Sequence, residues 1–103
     1  MNDPLKQVNP LELKEWLERE PDLCLIDVRE PHEHEHFNIG GRLIPLGDIM
    51  KEAGSIPANI KVVLYCKLGI RSQIAIQRLQ DRFGFSNLFN LKGGIESWKK
   101  EVR

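Results

Sequence analysis

The sequence predicts an α/β fold: a small parallel sheet of about five strands with helices on both faces. Two observations carry the prediction. Three short apolar runs, residues 23–26, 62–65 and 88–91, show no polar alternation, as expected of strands buried on both faces. Segments with helical apolar spacing lie between them, and strands that alternate with helices pair in parallel. At 103 residues the chain has the length of one domain, predicted over residues 1–103.

The elements follow in order. A short first strand is expected at Gln7-Val8. Residues 9–20 read as a helix: Asn9 can cap it, Pro10 suits the first turn, and Glu12 completes a capping box. Leu13, Trp16 and Leu17 form its apolar face, and Pro21 stops it. The strand at 23–26 is followed by Asp27-Val28-Arg29. The polar segment His32-Glu33-His34-Glu35-His36 reads as an exposed turn or short helix. It formally fits H-E-x-x-H, but a zinc centre needs a third ligand, and no other histidine exists in the chain. No metal site is expected. A strand near Leu43-Ile44 and a short helix over 46–53 come next. Beyond the strand at 62–65, residues 72–83 carry Ile76, Leu79 and Phe83 at helical spacing, with Gly84 placed to end the helix. After the strand at 88–91, Ile95, Trp98 and Val102 stripe a last helix. Its Lys99, Lys100 and Arg103 suit a solvated carboxyl end.

Composition narrows the function. Fifteen basic and fifteen acidic residues give zero formal net charge, so a nucleic-acid partner is not expected. No apolar run approaches the roughly 18 residues of a membrane helix. Met1-Asn2-Asp3-Pro4 shows no secretory leader. A cytoplasmic location without a membrane partner is expected. Two cysteines are too few for a disulfide scaffold or, by themselves, a structural zinc site. Cys24 lies inside an apolar strand and reads as buried packing.

Cys66 differs. It stands one residue past the end of a buried strand, at the carboxyl edge where open α/β sheets bind ligands. Lys67-Leu68-Gly69-Ile70-Arg71-Ser72 and a helix follow. A short strand-to-helix loop can curl so that successive backbone N–H groups point at one spot, and the helix start adds positive potential. Lys67 and Arg71 are expected to add full charges, and Gly69 to permit the turn. A thiol in such a cradle is expected to ionise readily, and the cradle suits an anion. Asp27 and Arg29 share this edge and read first as a structural ion pair bracing loops.

Four stretches together resemble the rhodanese-like, single-domain sulfurtransferases: Leu25-Ile26-Asp27-Val28-Arg29-Glu30-Pro31; Ile39-Gly40-Gly41-Arg42-Leu43-Ile44-Pro45-Leu46; Val63-Leu64-Tyr65-Cys66-Lys67-Leu68-Gly69-Ile70-Arg71-Ser72; and Leu91-Lys92-Gly93-Gly94-Ile95 with Trp98. The stretch from Asn38 to Leu46 looks most like rhodanese modules fused to adenylating enzymes of sulfur-carrier pathways. The resemblance implies that Cys66 takes a sulfane sulfur from thiosulfate or a persulfide donor, becomes a persulfide, and passes the sulfur to a thiol or a sulfur-carrier protein, with no cofactor. Residues 67–72 then form the binding loop, supported by Asp27 and Arg29. Two other readings stay open: a non-enzymatic sulfur carrier or docking module, and a phosphatase or arsenate reductase. Related cell-cycle phosphatases have a loop one residue longer than Cys66-x-x-x-x-Arg71. The family's frequent Arg after the cysteine is Lys67 here, and its Gly-His is Phe37-Asn38.

Overall fold

The structure is a computed structural model and describes residues 4–102. Met1–Asp3 and Arg103, including the expected leader-free start and the last basic residue, lie outside the described residues. Five strands form one parallel sheet: β1 (Gln7–Val8), β2 (Cys24–Asp27), β3 (Arg42–Leu43), β4 (Val62–Tyr65) and β5 (Leu88–Leu91), in the order β1-β5-β4-β2-β3. The helices are α1 (Pro10–Arg19), α2 (Pro31–His36), α3 (Ile70–Phe83) and α4 (Gly94–Glu101).

The central strand shows why the sheet is two-sided. All four residues of β4 are wholly buried, as its unbroken apolar sequence requires. Because side chains alternate across a strand, Val62, Leu64 and Cys66 join a core with Ala75, Ile76 and Leu79 of α3. Val63 and Tyr65 join a second core with Leu13 of α1 and Ile95 of α4. Register is set on both sides of β4, with Asp27 opposite Tyr65 and Asn90 opposite Leu64.

Most boundaries follow local chemistry. At α1 the capping box forms as expected: Glu12 N donates to Asn9 Oδ1 (2.8 Å) and Asn9 N to Glu12 Oε1 (3.1 Å). Leu13 is buried and Trp16 packs edge-on to Phe89, but Leu17 turns outward, 39% exposed. Gly84 ends α3 in the left-handed conformation, φ 72°.

Four expectations need correction. The segment 46–53 is not one helix but two 3₁₀ turns, Leu46–Asp48 and Ala53–Ser55. Their shorter i→i+3 bonds let Ile49, Ala53 and Ile56 reach the α3-side core. Phe83 is half exposed: it is the last residue of α3, beyond the buried Ala75, Ile76 and Leu79. Cys24 is only part-buried, since it opens β2 at the amino edge of the sheet. Burial still pushes its thiol pKa up, against a smaller opposing pull from Arg42, which suits an inert role. Finally, α3 begins at Ile70, two residues before the predicted start, so part of the expected loop is helix.

After β2 the chain moves to β3 on one side, and after β4 it moves to β5 on the other. The connections therefore diverge between β2 and β4. In parallel sheets the crevice beyond such a divergence is where ligands bind. Cys66 and the Asp27–Arg29 segment both lie there.

Candidate active site

Cys66 is 1% exposed and directly follows β4. Gly69 has φ 91° and acts as the N-cap of α3. This conformation folds Lys67 and Leu68 back over the thiol and aims the start of α3 at it. The result is two backbone donors on one sulfur: Gly69 N at 3.1 Å and Ser72 N at 3.4 Å from Sγ. Ser72 Oγ lies 3.4 Å from Sγ as well. Of the expected ring of amides, those of Gly69 and Ser72 reach the sulfur, and the helix start supplies the second. A small cavity over the thiol, about 150 Å³, is lined by Cys66, Lys67, Leu68, Ile70 and Arg71. Leu68 and Ile70 form an apolar rim, 56% and 63% exposed.

The loop is held from behind by α4. Ile95 N donates to the Cys66 carbonyl (2.9 Å) and Glu96 N to the Lys67 carbonyl (3.1 Å). These are first-turn amides of α4, which lack partners within their own helix. The approach is so close that a Cβ on Gly94, whose φ is +63°, would fall 2.5 Å from both carbonyl oxygens. The Gly93-Gly94 pair therefore clamps the backbone of the cysteine loop.

Arg71 is bound by a carboxylate from α2. Its two Nη atoms donate to both carboxylate oxygens of Glu33, at 2.7 and 2.8 Å. Glu33 also accepts from its own Glu30 amide at 3.0 Å. The Arg71 guanidinium holds the Glu33 carboxyl down at about 2, and Glu33 in turn raises Arg71. Arg71 is thus already paired on the α2 side of the loop. Exposed Lys67 makes no ion pair among the described residues and is left as the loop's uncompensated cation.

Asp27 and Arg29 form a buried fork. Arg29 Nη2 donates to Asp27 Oδ2 (2.8 Å), Nε to Oδ1 (3.0 Å), and the Arg29 amide to Oδ1 (2.9 Å). Arg29 Nη2 also donates to the Phe37 carbonyl at 2.6 Å. His34 Nδ1 lies 2.9 Å from Asp27 Oδ2, and the acceptor-only carboxylate makes it the protonated ring nitrogen. Burial alone would raise the Asp27 carboxyl, but the donors from Arg29 and His34 outweigh it and hold it below its usual range. The pair spans the β2–α2 turn, and none of its hydrogen bonds goes to loop residues 66–72.

Three residues at this site escaped sequence reading. Glu33 and His34 were hidden inside the zinc-like pattern; an arginine beside a thiol in need of a counter-charge was the available signal. His32 and His36 are exposed, and no group of three or more potential metal ligands gathers among the described residues. Asn90 is the third, a polar residue inside an apolar strand run and 2% exposed.

A parallel sheet with a cysteine-bearing loop at its switch point defines a class of α/β domains. The comparison with known proteins specifies it: residues 9–101 match the family model described as "Rhodanese-like domain", and the chain belongs to that family. It is 39% identical over 99 residues to "Probable adenylyltransferase/sulfurtransferase MoeZ" of Mycobacterium tuberculosis, covering 93% of this chain but 25% of that protein. It is 31% identical over 100 residues to "Putative sulfurtransferase YtwF" of Bacillus subtilis, covering 96% and 95%. The crystal structure of a rhodanese-like domain protein from Staphylococcus aureus superposes with TM-score 0.82 at 26% identity, over 91% of each chain. The chain thus spans about a quarter of MoeZ and nearly all of YtwF. Sulfur transfer is supported for it at the level of the family.

Proposed function

We propose that the protein, as a single cytoplasmic domain, moves a sulfane sulfur from thiosulfate or a persulfide donor to a thiophilic acceptor through a persulfide on Cys66. The observation that carries this reading is the buried Sγ that accepts from the Gly69 and Ser72 amides. In the first half-reaction the Cys66 thiolate attacks the outer sulfur of thiosulfate. An S–S bond forms to Sγ, the thiosulfate S–S bond breaks, and sulfite leaves with the electron pair. In the second, cyanide or an acceptor thiolate attacks the outer sulfur, and Cys66 leaves as thiolate. This is covalent, ping-pong catalysis. Fixed amide dipoles suit it because they stabilise negative charge on sulfur without reorganising.

The compensation of Arg71 by Glu33 favours sulfur over phosphoryl chemistry. A phosphate dianion needs a free, bidentate guanidinium, whereas a single charge on a terminal sulfur needs amide donors. Lys67 at the rim supplies the attraction that an anionic donor requires.

The test is intact mass after mixing with thiosulfate. Cys66 is expected to gain one sulfur atom, about 32 Da, reversed by cyanide and lost in Cys66→Ala. Absence of an adduct with thiosulfate, polysulfide or a protein persulfide overturns the reading. A second reading, sulfur relay to a carrier protein, rests on the exposed Leu68 and Ile70 around the buried thiol. Rapid discharge to a protein acceptor with slow turnover on cyanide favours it.

A further inference from the structure

The two amides that reach Sγ belong to Gly69 and Ser72, and one buried side chain grips both residues from behind. Asn90 of β5 donates through Nδ2 to the Gly69 carbonyl (3.2 Å) and to Gln7 Oε1 of β1 (3.0 Å). Its Oδ1 accepts a short hydrogen bond from Ser72 Oγ. With both amide protons engaged, Oδ1 is the acceptor and Ser72 the donor.

The Ser72 hydroxyl has a single proton, and it is donated to Asn90 Oδ1. Ser72 Oγ therefore faces Sγ with a lone pair. A thiol can satisfy that lone pair by donating S–H; a thiolate or a persulfide cannot. The charged forms of the sulfur are then met by the backbone amides, whose direction depends on how the 69–72 turn is held.

We propose that Asn90 is the positioning residue of this site: it aligns the Gly69 and Ser72 amides on the sulfur and reserves the Ser72 proton away from it. Asn90 bonds to neither Sγ nor any group that reacts, so it acts only through these two residues. Its consequence for turnover rests on the sulfurtransferase reading, but its effect on the amides does not.

The experiment uses Asn90→Leu and Asn90→Asp in the full chain. Asn90→Leu removes every bond. Asn90→Asp keeps the shape and the acceptor for Ser72, and as a carboxylate cannot donate to the Gly69 carbonyl. Amide proton resonances of Gly69 and Ser72 are followed by NMR, with alkylation of Cys66 by iodoacetamide and single-turnover sulfur loading from thiosulfate. In Asn90→Leu both resonances are expected to move upfield by more than any other amide of α3. In Asn90→Asp, Gly69 is expected to move and Ser72 to stay. Alkylation and the saturating loading rate are expected to fall about ten-fold in Asn90→Leu, the size of a lost bond to a charged group, with the half-saturating donor concentration unchanged. Wild-type resonances and alkylation rate in both variants overturn the proposal. Slowed alkylation with both resonances unmoved also overturns it. If Asn90→Leu fails to fold, the Gly69 shift in Asn90→Asp decides. Failure of the wild-type protein to load sulfur refutes the proposed function, while the resonances and alkylation still decide on Asn90.

Discussion

Glu33 shows how strongly one residue can reset a site. Its carboxylate collects three donors, two from Arg71 and one from the Glu30 amide, and titrates at about 2 instead of its ordinary 4.5. A lowered carboxylate pKa contributes stability above the unfolded value, and that stability is lost as pH falls through the folded value. Between about 4.5 and about 2, the wild-type protein is therefore expected to lose about 1 kcal/mol more than Glu33→Gln, a figure discounted for the pair's partial exposure. Urea unfolding at a series of acid pH values measures this, and parallel curves for the two proteins contradict it. Glu33→Gln also leaves Arg71 without its counter-charge. Its reaction with anionic iodoacetate, relative to neutral iodoacetamide, is then expected to rise several-fold at low salt.

At the scale of elements, α1 and α4 have glycine or asparagine starts with different consequences. The α1 cap is local and distant in sequence from the thiol. Asn9→Ala is expected to cost about 1 kcal/mol and lower the melting temperature by about 5 °C, with Cys66 alkylated at the wild-type rate. The α4 start holds the cysteine loop. Gly94→Ala places a methyl group against the Cys66 and Lys67 carbonyls at a left-handed φ, so the loop has to move. A loss of about 2–4 kcal/mol is expected, together with a marked drop in alkylation rate. Equal alkylation in the two variants contradicts the clamp. Local chemistry also explains what sequence could foresee here. The capping box of α1 and the stop at Gly84 are readable because donors and acceptors lie within four residues. The start of α3 at Ile70 is not, because it depends on Gly69 packing near the Leu91 carbonyl and the Gly93 amide.

Across the whole molecule, the sheet and its edge were legible and the polar wiring was not. Apolar runs without alternation mark β2, β4 and β5 because a strand covered on both faces offers few polar positions; Asn90 in β5 is a buried exception. Cys66, following such a run, points to the site for the same reason. Glu33 meets Arg71 across 38 residues and Ser72 meets Asn90 across 18, and nothing local encodes either meeting. Stability is expected to follow this division. The amides of β4 are expected to exchange only by global unfolding, while those of α2, which buries no residue, open locally and exchange orders of magnitude faster. Hydrogen exchange by NMR checks this; comparable protection in α2 and β4 contradicts it.

The clamp on the cysteine loop is made from peptide groups on both sides: α4 amides grip its carbonyls, and its own amides meet the sulfur. The working part of the pocket is thus written in main chain, with glycine required where the chain turns at Gly69 and where α4 closes on the loop at Gly94. Side chains at 67, 68 and 70 point outward and hold none of it together. On the proposed function they form an interchangeable address label on a fixed chemical tool, and exchanging them is expected to change which sulfur donor or acceptor is used without rebuilding the loop.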